Sequence, residues 1–180
     1  MRLRNLIPGI ALLLLSGCTG IPKGVEPVGG FQLERYLGRW YEIARLDHSF
    51  ERGLIKVTAE YSLREDGGVR VVNRGYDPQK NIWKQVEGRA YFVAGPDVGR
   101  LKVSFFGPFY GGYNILELDQ KDYGYALVAG PTRSYLWILA REPRLDKAVV
   151  RRLTDRAAQM GFPVDELIFV EHTTDNAKGQ

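Results

Sequence analysis

From residue 40 onward, hydrophobic and polar positions alternate in short runs, the period of strands with one buried face. The clearest run is 54–63, with Val57, Ala59, Tyr61 and Leu63 on one face and Lys56, Thr58, Glu60 and Ser62 on the other. Asp66-Gly67-Gly68 then signals a hairpin, and 77–81 and 95–99 are further turns. Runs at 69–76, 82–93, 101–105, 113–118, 123–130 and 135–141 follow; with the strand at Trp40 they make eight. Short connections between neighbours predict an all-β, up-and-down antiparallel barrel, which leaves no exposed edge; the pattern alone also admits a β-sandwich. After Pro143 the period changes. Leu145, Val149 and Leu153 are four apart, predicting one helix over 145–160 that packs outside the barrel and stops at Gly161. Residues 167–170 read as a short ninth strand.

The first thirty residues have a different texture. Arg2 and Arg4 precede an apolar run at 6–15, too short to span a bilayer, so 1–17 reads as a signal peptide. It ends in Leu15-Ser16-Gly17-Cys18, which resembles the lipobox of bacterial lipoproteins. Cys18 is the one cysteine of the chain, so no internal disulfide forms, and its thiol is the expected lipid-attachment point. Several acyl chains on that residue give stable anchoring where one gives marginal binding. Thr19, where an Asp would favour the inner membrane, points to the outer membrane. Residues 18–30, rich in Gly and Pro, read as a flexible tether to a domain over 31–175, with a frayed tail at 176–180.

Strand direction assigns each loop to an end. If the first strand climbs from Trp40, the loops at 47–53, 77–81, 107–112 and 130–134 lie together at the top. The eighth strand then returns Arg141 to the bottom, beside Trp40. A guanidinium over an indole face makes a stable plug. Parity with Trp137 and Arg141 turns Tyr135, Trp137 and Leu139 inward, together with Val57, Ala59, Tyr61 and Leu63, and with Leu101, Val103 and Phe105. Small inward residues such as Ala59 leave space in a barrel of this size.

Residues 36–45 (Tyr-Leu-Gly-Arg-Trp-Tyr-Glu-Ile-Ala-Arg) and 135–141 (Tyr-Leu-Trp-Ile-Leu-Ala-Arg) together resemble the first and last signature regions of the lipocalins. The wider match, including 47–54 and 103–114, resembles the bacterial outer-membrane lipocalins and covers nearly everything after residue 30. That resemblance implies a lipocalin barrel in which Gly38, Trp40 and Arg141 form a structural closed end. It also favours Val71, Asn73, Val86, Ala90, Tyr113 and Ile115 as inward-facing. The implied ligand is a fatty acid or lysophospholipid, its tail in the lumen and its head near the mouth. The residues expected to hold it are Ala59, Tyr61, Asn73, Val103, Phe105, Tyr113, Tyr135 and Trp137. Tyr113 and Tyr135 are expected near the upper ends of their strands, with Asn73 somewhat below. The implied role is storage or transport of such lipids in the cell envelope, in membrane maintenance under stress, with the domain facing the periplasm; a homodimer is left open.

Charge changes this picture little. The formal net charge of +4 includes Arg2 and Arg4 of the leader, too mild a balance to suggest nucleic acid. There is no Ser-centred elbow and no metal-spaced His/Cys cluster, so neither enzyme, metal nor cofactor is expected. The two histidines are His48 and His172, and His48, Glu51 and Arg52 read as a solvated loop triplet. Some lipocalins are enzymes that use a lumen cysteine, whereas the cysteine here is expected to belong to the anchor. Glu117 reads equally well facing the lumen or the outside. The alternative function is an envelope interaction module that docks a partner on the aromatic loop at 105–113.

Overall fold

The computed structural model describes residues 19–172; the leader, Cys18 and the 176–180 tail lie outside the described residues. Eight antiparallel strands follow in order: β1 (Gly38–Arg45), β2 (Ile55–Leu63), β3 (Val69–Asp77), β4 (Ile82–Phe92), β5 (Arg100–Phe106), β6 (Phe109–Leu118), β7 (Tyr125–Ala129) and β8 (Leu136–Ala140). Each pairs with the next, and β1 pairs with both β8 and β2, so the sheet closes into a barrel rather than a sandwich. The β5–β6 turn is only Gly107-Pro108, so the expected Gly-rich loop at 107–112 is mostly strand.

A short helix, α1 (Leu33–Tyr36), precedes β1 and carries Tyr36 into the barrel floor. Helix α2 (Lys147–Gln159) starts at Asp146, whose carboxylate accepts from the amides of Ala148 (2.7 Å) and Val149 (3.4 Å). That side chain satisfies amides which the first helical turn leaves without partners. The helix lies on the outer wall, and the four-residue stripe extends to Ala157, buried with Leu153 against Leu116, Leu127 and Ala129. β9 (Ile168–Phe169) pairs with the end of β1, at Ala44 and Arg45, which β2 does not reach.

Two of the register shifts in the barrel change which side chains face in. In β1 the register shifts between Glu42 and Ala44, so Ile43 and Ala44 both join the outer core under α2. Glu42 and Arg45, three residues apart, consequently share the inner side. In β6 the shift between Ile115 and Glu117 puts Leu116 and Glu117 outside, where Glu117 accepts from Arg156 of α2 at 2.9 Å. Glu117 is thus a surface partner of the helix, not a lumen acid. Such an extra residue turns the following side chains to the other face.

Two further expectations need correction. Leu63 has inward parity, but β1 begins its pairing at Gly38–Tyr61, so Leu63 overhangs the barrel floor and is 56% exposed. Residues 19–30 do not pass freely through solvent. Gly29 bridges Val98, Val28 exchanges backbone bonds with Ile115 and Gly99, and Val25 is buried under the α2 side of the wall. Gly and Pro residues marked a breaker-rich stretch, but Val25 and Val28 supply apolar anchors, and its backbone groups pair with the wall.

Candidate functional site

The lumen is a cavity of about 780 Å³, within the range of pockets that take a small amphiphile. All eight residues expected to hold a ligand line it: Ala59, Tyr61, Asn73, Val103, Phe105, Tyr113, Tyr135 and Trp137. Their depths differ from expectation in one case.

The floor is built from Trp40, Tyr36 and the basic residue after β8. Gly38 starts β1 with φ of +91°, and a Cβ there would sit 3.4 Å from the Arg141 guanidinium, so the position suits glycine. Arg141 lies 4.1 Å over the Trp40 ring and donates to the carbonyls of Arg39 (2.9 Å) and Arg35 (2.7 Å). Trp40 is fully buried; its ring lies 4.6 Å from that of Tyr36, and its indole N–H donates to the Tyr36 carbonyl at 2.8 Å. Above them three phenols meet: the Tyr113 hydroxyl bonds that of Tyr36 at 2.7 Å and that of Tyr61 at 2.8 Å. Burial raises the pKa of all three, so they stay neutral. Tyr113 therefore belongs to the floor, not the mouth. β6 runs four residues beyond it toward the open end, and Tyr113 pairs with Leu101, near the start of β5.

The upper lumen holds a polar cluster that the loop reading missed. Arg45, 2% exposed, donates to Glu42 Oε1 at 2.6 Å and lies 3.8 Å from Glu51 Oε2. It also donates to the carbonyls of Glu51 (3.0 Å) and Leu54 (3.2 Å), folding the 47–53 loop inward. Trp137 completes the cluster by donating its indole N–H to Glu51 at 3.2 Å. Burial pushes both carboxyls up, and the neighbouring Glu51 charge adds to the rise at Glu42. Two buried carboxyls facing one guanidinium hold a shared proton more tightly than free ones.

His48 and Glu51 are buried, so the expected solvated triplet does not form; Arg52 turns out to pair with Asp47 at 2.6 Å. The His48 ring stacks between Phe50 (5.3 Å) and Tyr135 (4.9 Å) beside Trp137. Burial, aided by the Arg45 charge, depresses its pKa to about 4, so it is neutral near pH 7. Glu42 had a readable signal, sharing Trp40's parity along the strand. Arg45 had none, because its inward position depends on the bulge.

A closed eight-stranded antiparallel barrel, plugged at one end and open to an apolar lumen at the other, is the architecture of a lipocalin. The lipocalin-like domain family matches residues 31–172, and the chain belongs to that family of binding proteins. The outer membrane lipoprotein Blc of Vibrio cholerae is 54% identical over 159 residues, covering 88% of this chain and 93% of that protein. Blc of Escherichia coli K12 is 52% identical over 174 residues, covering 95% and 98%. Temperature-induced lipocalin-1 of Arabidopsis thaliana is 36% identical, covering 81% of each. In shape the chain resembles insecticyanin of the tobacco hornworm, with a TM-score of 0.68 at 23% identity over 86% of this chain and 87% of that one. Similarity over nearly the full length of the Blc proteins places this chain at the bacterial outer membrane, as a lipoprotein.

Proposed function

We propose that the protein holds one fatty acid or lysophospholipid, acyl chain down and head group at the mouth, and stores or carries it in the envelope for membrane maintenance under stress. In this reading 1–17 is removed, Cys18 carries the acyl anchor, the domain faces the periplasm, and no catalysis is involved. The single observation that carries it is the polarity gradient of the lumen. The middle is apolar, the floor polar groups are mutually bonded, and Glu42, Glu51 and Tyr135 sit toward the open end. Each buried methylene contributes about 0.8 kcal/mol, so a sixteen-carbon tail offers on the order of 13 kcal/mol gross. Association costs roughly 4–15 kcal/mol, which leaves affinities around micromolar within reach.

The test is a titration with palmitate and lysophospholipid followed by tryptophan emission, which Trp137 reports from the lumen wall. Saturable one-to-one binding is expected. Ala59→Trp, which puts an indole into the lumen across from Trp40, should abolish it while leaving the circular dichroism spectrum of the barrel unchanged. Binding that survives in Ala59→Trp, or that never saturates, would count against the lumen as the site.

A further inference from the structure

The course of residues 19–29 fixes where the anchored end of the chain emerges. Gly29 is bridged to Val98, in the floor loop between β4 and β5. From there the segment climbs the outer wall. The Lys23 carbonyl accepts from Arg133 of the 130–134 mouth loop at 2.8 Å. The Gly20 carbonyl accepts from Asn114 at 3.1 Å, and Gly20 lies beside Pro131 in the same mouth loop. The described chain therefore begins at Thr19 on the mouth side of the barrel, one peptide bond past Cys18.

Exposed apolar side chains are concentrated at that same end. Among the described residues, five of the nine large exposed ones sit in or directly beside three mouth loops: Phe50, Ile82, Trp83, Phe106 and Phe109. Phe106 and Phe109, 76% and 70% exposed, flank the two-residue β5–β6 turn. Among the described residues at the floor, only Leu63 and Val93 are comparable. Cations stand behind the aromatic rim: the Arg74 guanidinium lies 4.3 Å over the Trp83 ring, and the Lys102 ammonium 4.8 Å over Tyr110. Apolar tips backed by positive charge match a bilayer surface, where rings reach the acyl boundary and cations meet phosphates.

We propose that the lipidated protein sits mouth-down, with Phe50, Ile82, Trp83, Phe106 and Phe109 docked on the lipid bilayer that holds its own acyl anchor. An anchor leaving from the floor would hold the lumen away from the membrane. Leaving from the mouth, it presses the opening against the lipid. An acyl ligand then passes between bilayer and lumen without crossing water; that consequence, unlike the orientation, rests on the lipid-binding reading.

The test uses the full lipidated protein in vesicles of phosphatidylethanolamine and phosphatidylglycerol containing brominated lipid. Phe109→Trp places a reporter at the mouth, and Lys121→Trp places one on the floor loop between β6 and β7. Each is read as a difference from the parent emission. Quenching several-fold stronger for Phe109→Trp is expected. Equal quenching, or stronger quenching for Lys121→Trp, would overturn the orientation. Should either variant misfold, amine acylation of the unsubstituted protein gives the same answer. Lys80 should be protected on vesicles and released by detergent, with Lys121 reactive in both; protection of Lys121 instead would reject the proposal. An unquenched Phe109→Trp with reactive Lys80 would also reject it and leave the rim as a protein-docking surface. Lysophospholipid titration is scored separately, so loss of ligand binding with quenching intact sinks the carrier reading and leaves the orientation standing.

Discussion

The two ends of the barrel are built on opposite principles. At the floor, Trp40, Tyr36, Tyr61, Tyr113 and Arg141 satisfy one another through hydroxyl, indole and carbonyl bonds. Nothing there needs a ligand. At the mouth, buried charge is crowded rather than balanced: two carboxyls face one guanidinium, the Arg45 Nε and His48 Nε2 atoms lack hydrogen-bond partners, and phenylalanines stand in solvent. Stability and recognition are thus segregated along one axis, as expected where polar groups in a low-dielectric site are held ready for something else.

Removing the floor should cost most. Trp40→Ala deletes the largest fully buried side chain and is expected to lower unfolding free energy by about 3–5 kcal/mol, read from denaturant midpoints. If the mouth were equally structural, an equally large loss would follow at Glu42. Glu42→Gln is expected to cost less, roughly 1.5–3 kcal/mol, because Glu51 stays beside Arg45 to meet its charge. Tyr113→Phe breaks the three-phenol contact and should cost about 1 kcal/mol of stability, with a smaller effect on lipid affinity than Trp137→Ala. A larger loss of affinity than of stability would return Tyr113 to the head-group site.

A further effect is one of pH. The folded His48 pKa of about 4 lies below the unfolded 6.5, so between them the unfolded chain takes up a proton that the folded chain refuses. Its contribution is therefore lost as pH falls from about 6.5 toward about 4. The Glu42–Glu51 pair runs the other way. Its raised pKa values make its contribution present below the ordinary carboxylate range and lost as pH rises through the raised one. His48→Phe, which keeps a ring between Phe50 and Tyr135, should flatten the acid limb of thermal stability and leave the upper limb in place. An unchanged acid limb would remove His48 from the explanation.

Alternation makes the strands and their inward faces legible in the sequence, and the resemblance to lipocalins chooses the barrel over a sandwich. The strand count, the inward parity of Ala59, Tyr61, Val103 and Trp137, and the meeting of Trp40 with Arg141 all follow from period two and antiparallel order. What escaped depends on features with no local signature. The bulges at Glu42–Ala44 and Ile115–Glu117 reset parity, and so decide Arg45 and Glu117. The stagger between strands lowers Tyr113 to the floor, and the inward fold of the 47–53 loop needs Arg45 already buried. The climb of residues 19–29 rests on scattered backbone bonds that a Gly- and Pro-rich stretch does not advertise.

Segregation of the two ends predicts one orientation for a bound amphiphile, and anomalous diffraction can read it directly. A lysophospholipid with bromine at the acyl terminus, crystallised with the protein, should place that bromine low in the lumen beside Tyr61 and Val71, with the head group near Tyr135 and Trp137. Bromine found at the mouth, or on the outer wall with the lumen unoccupied, would contradict the division between a structural floor and a ligand-receiving mouth.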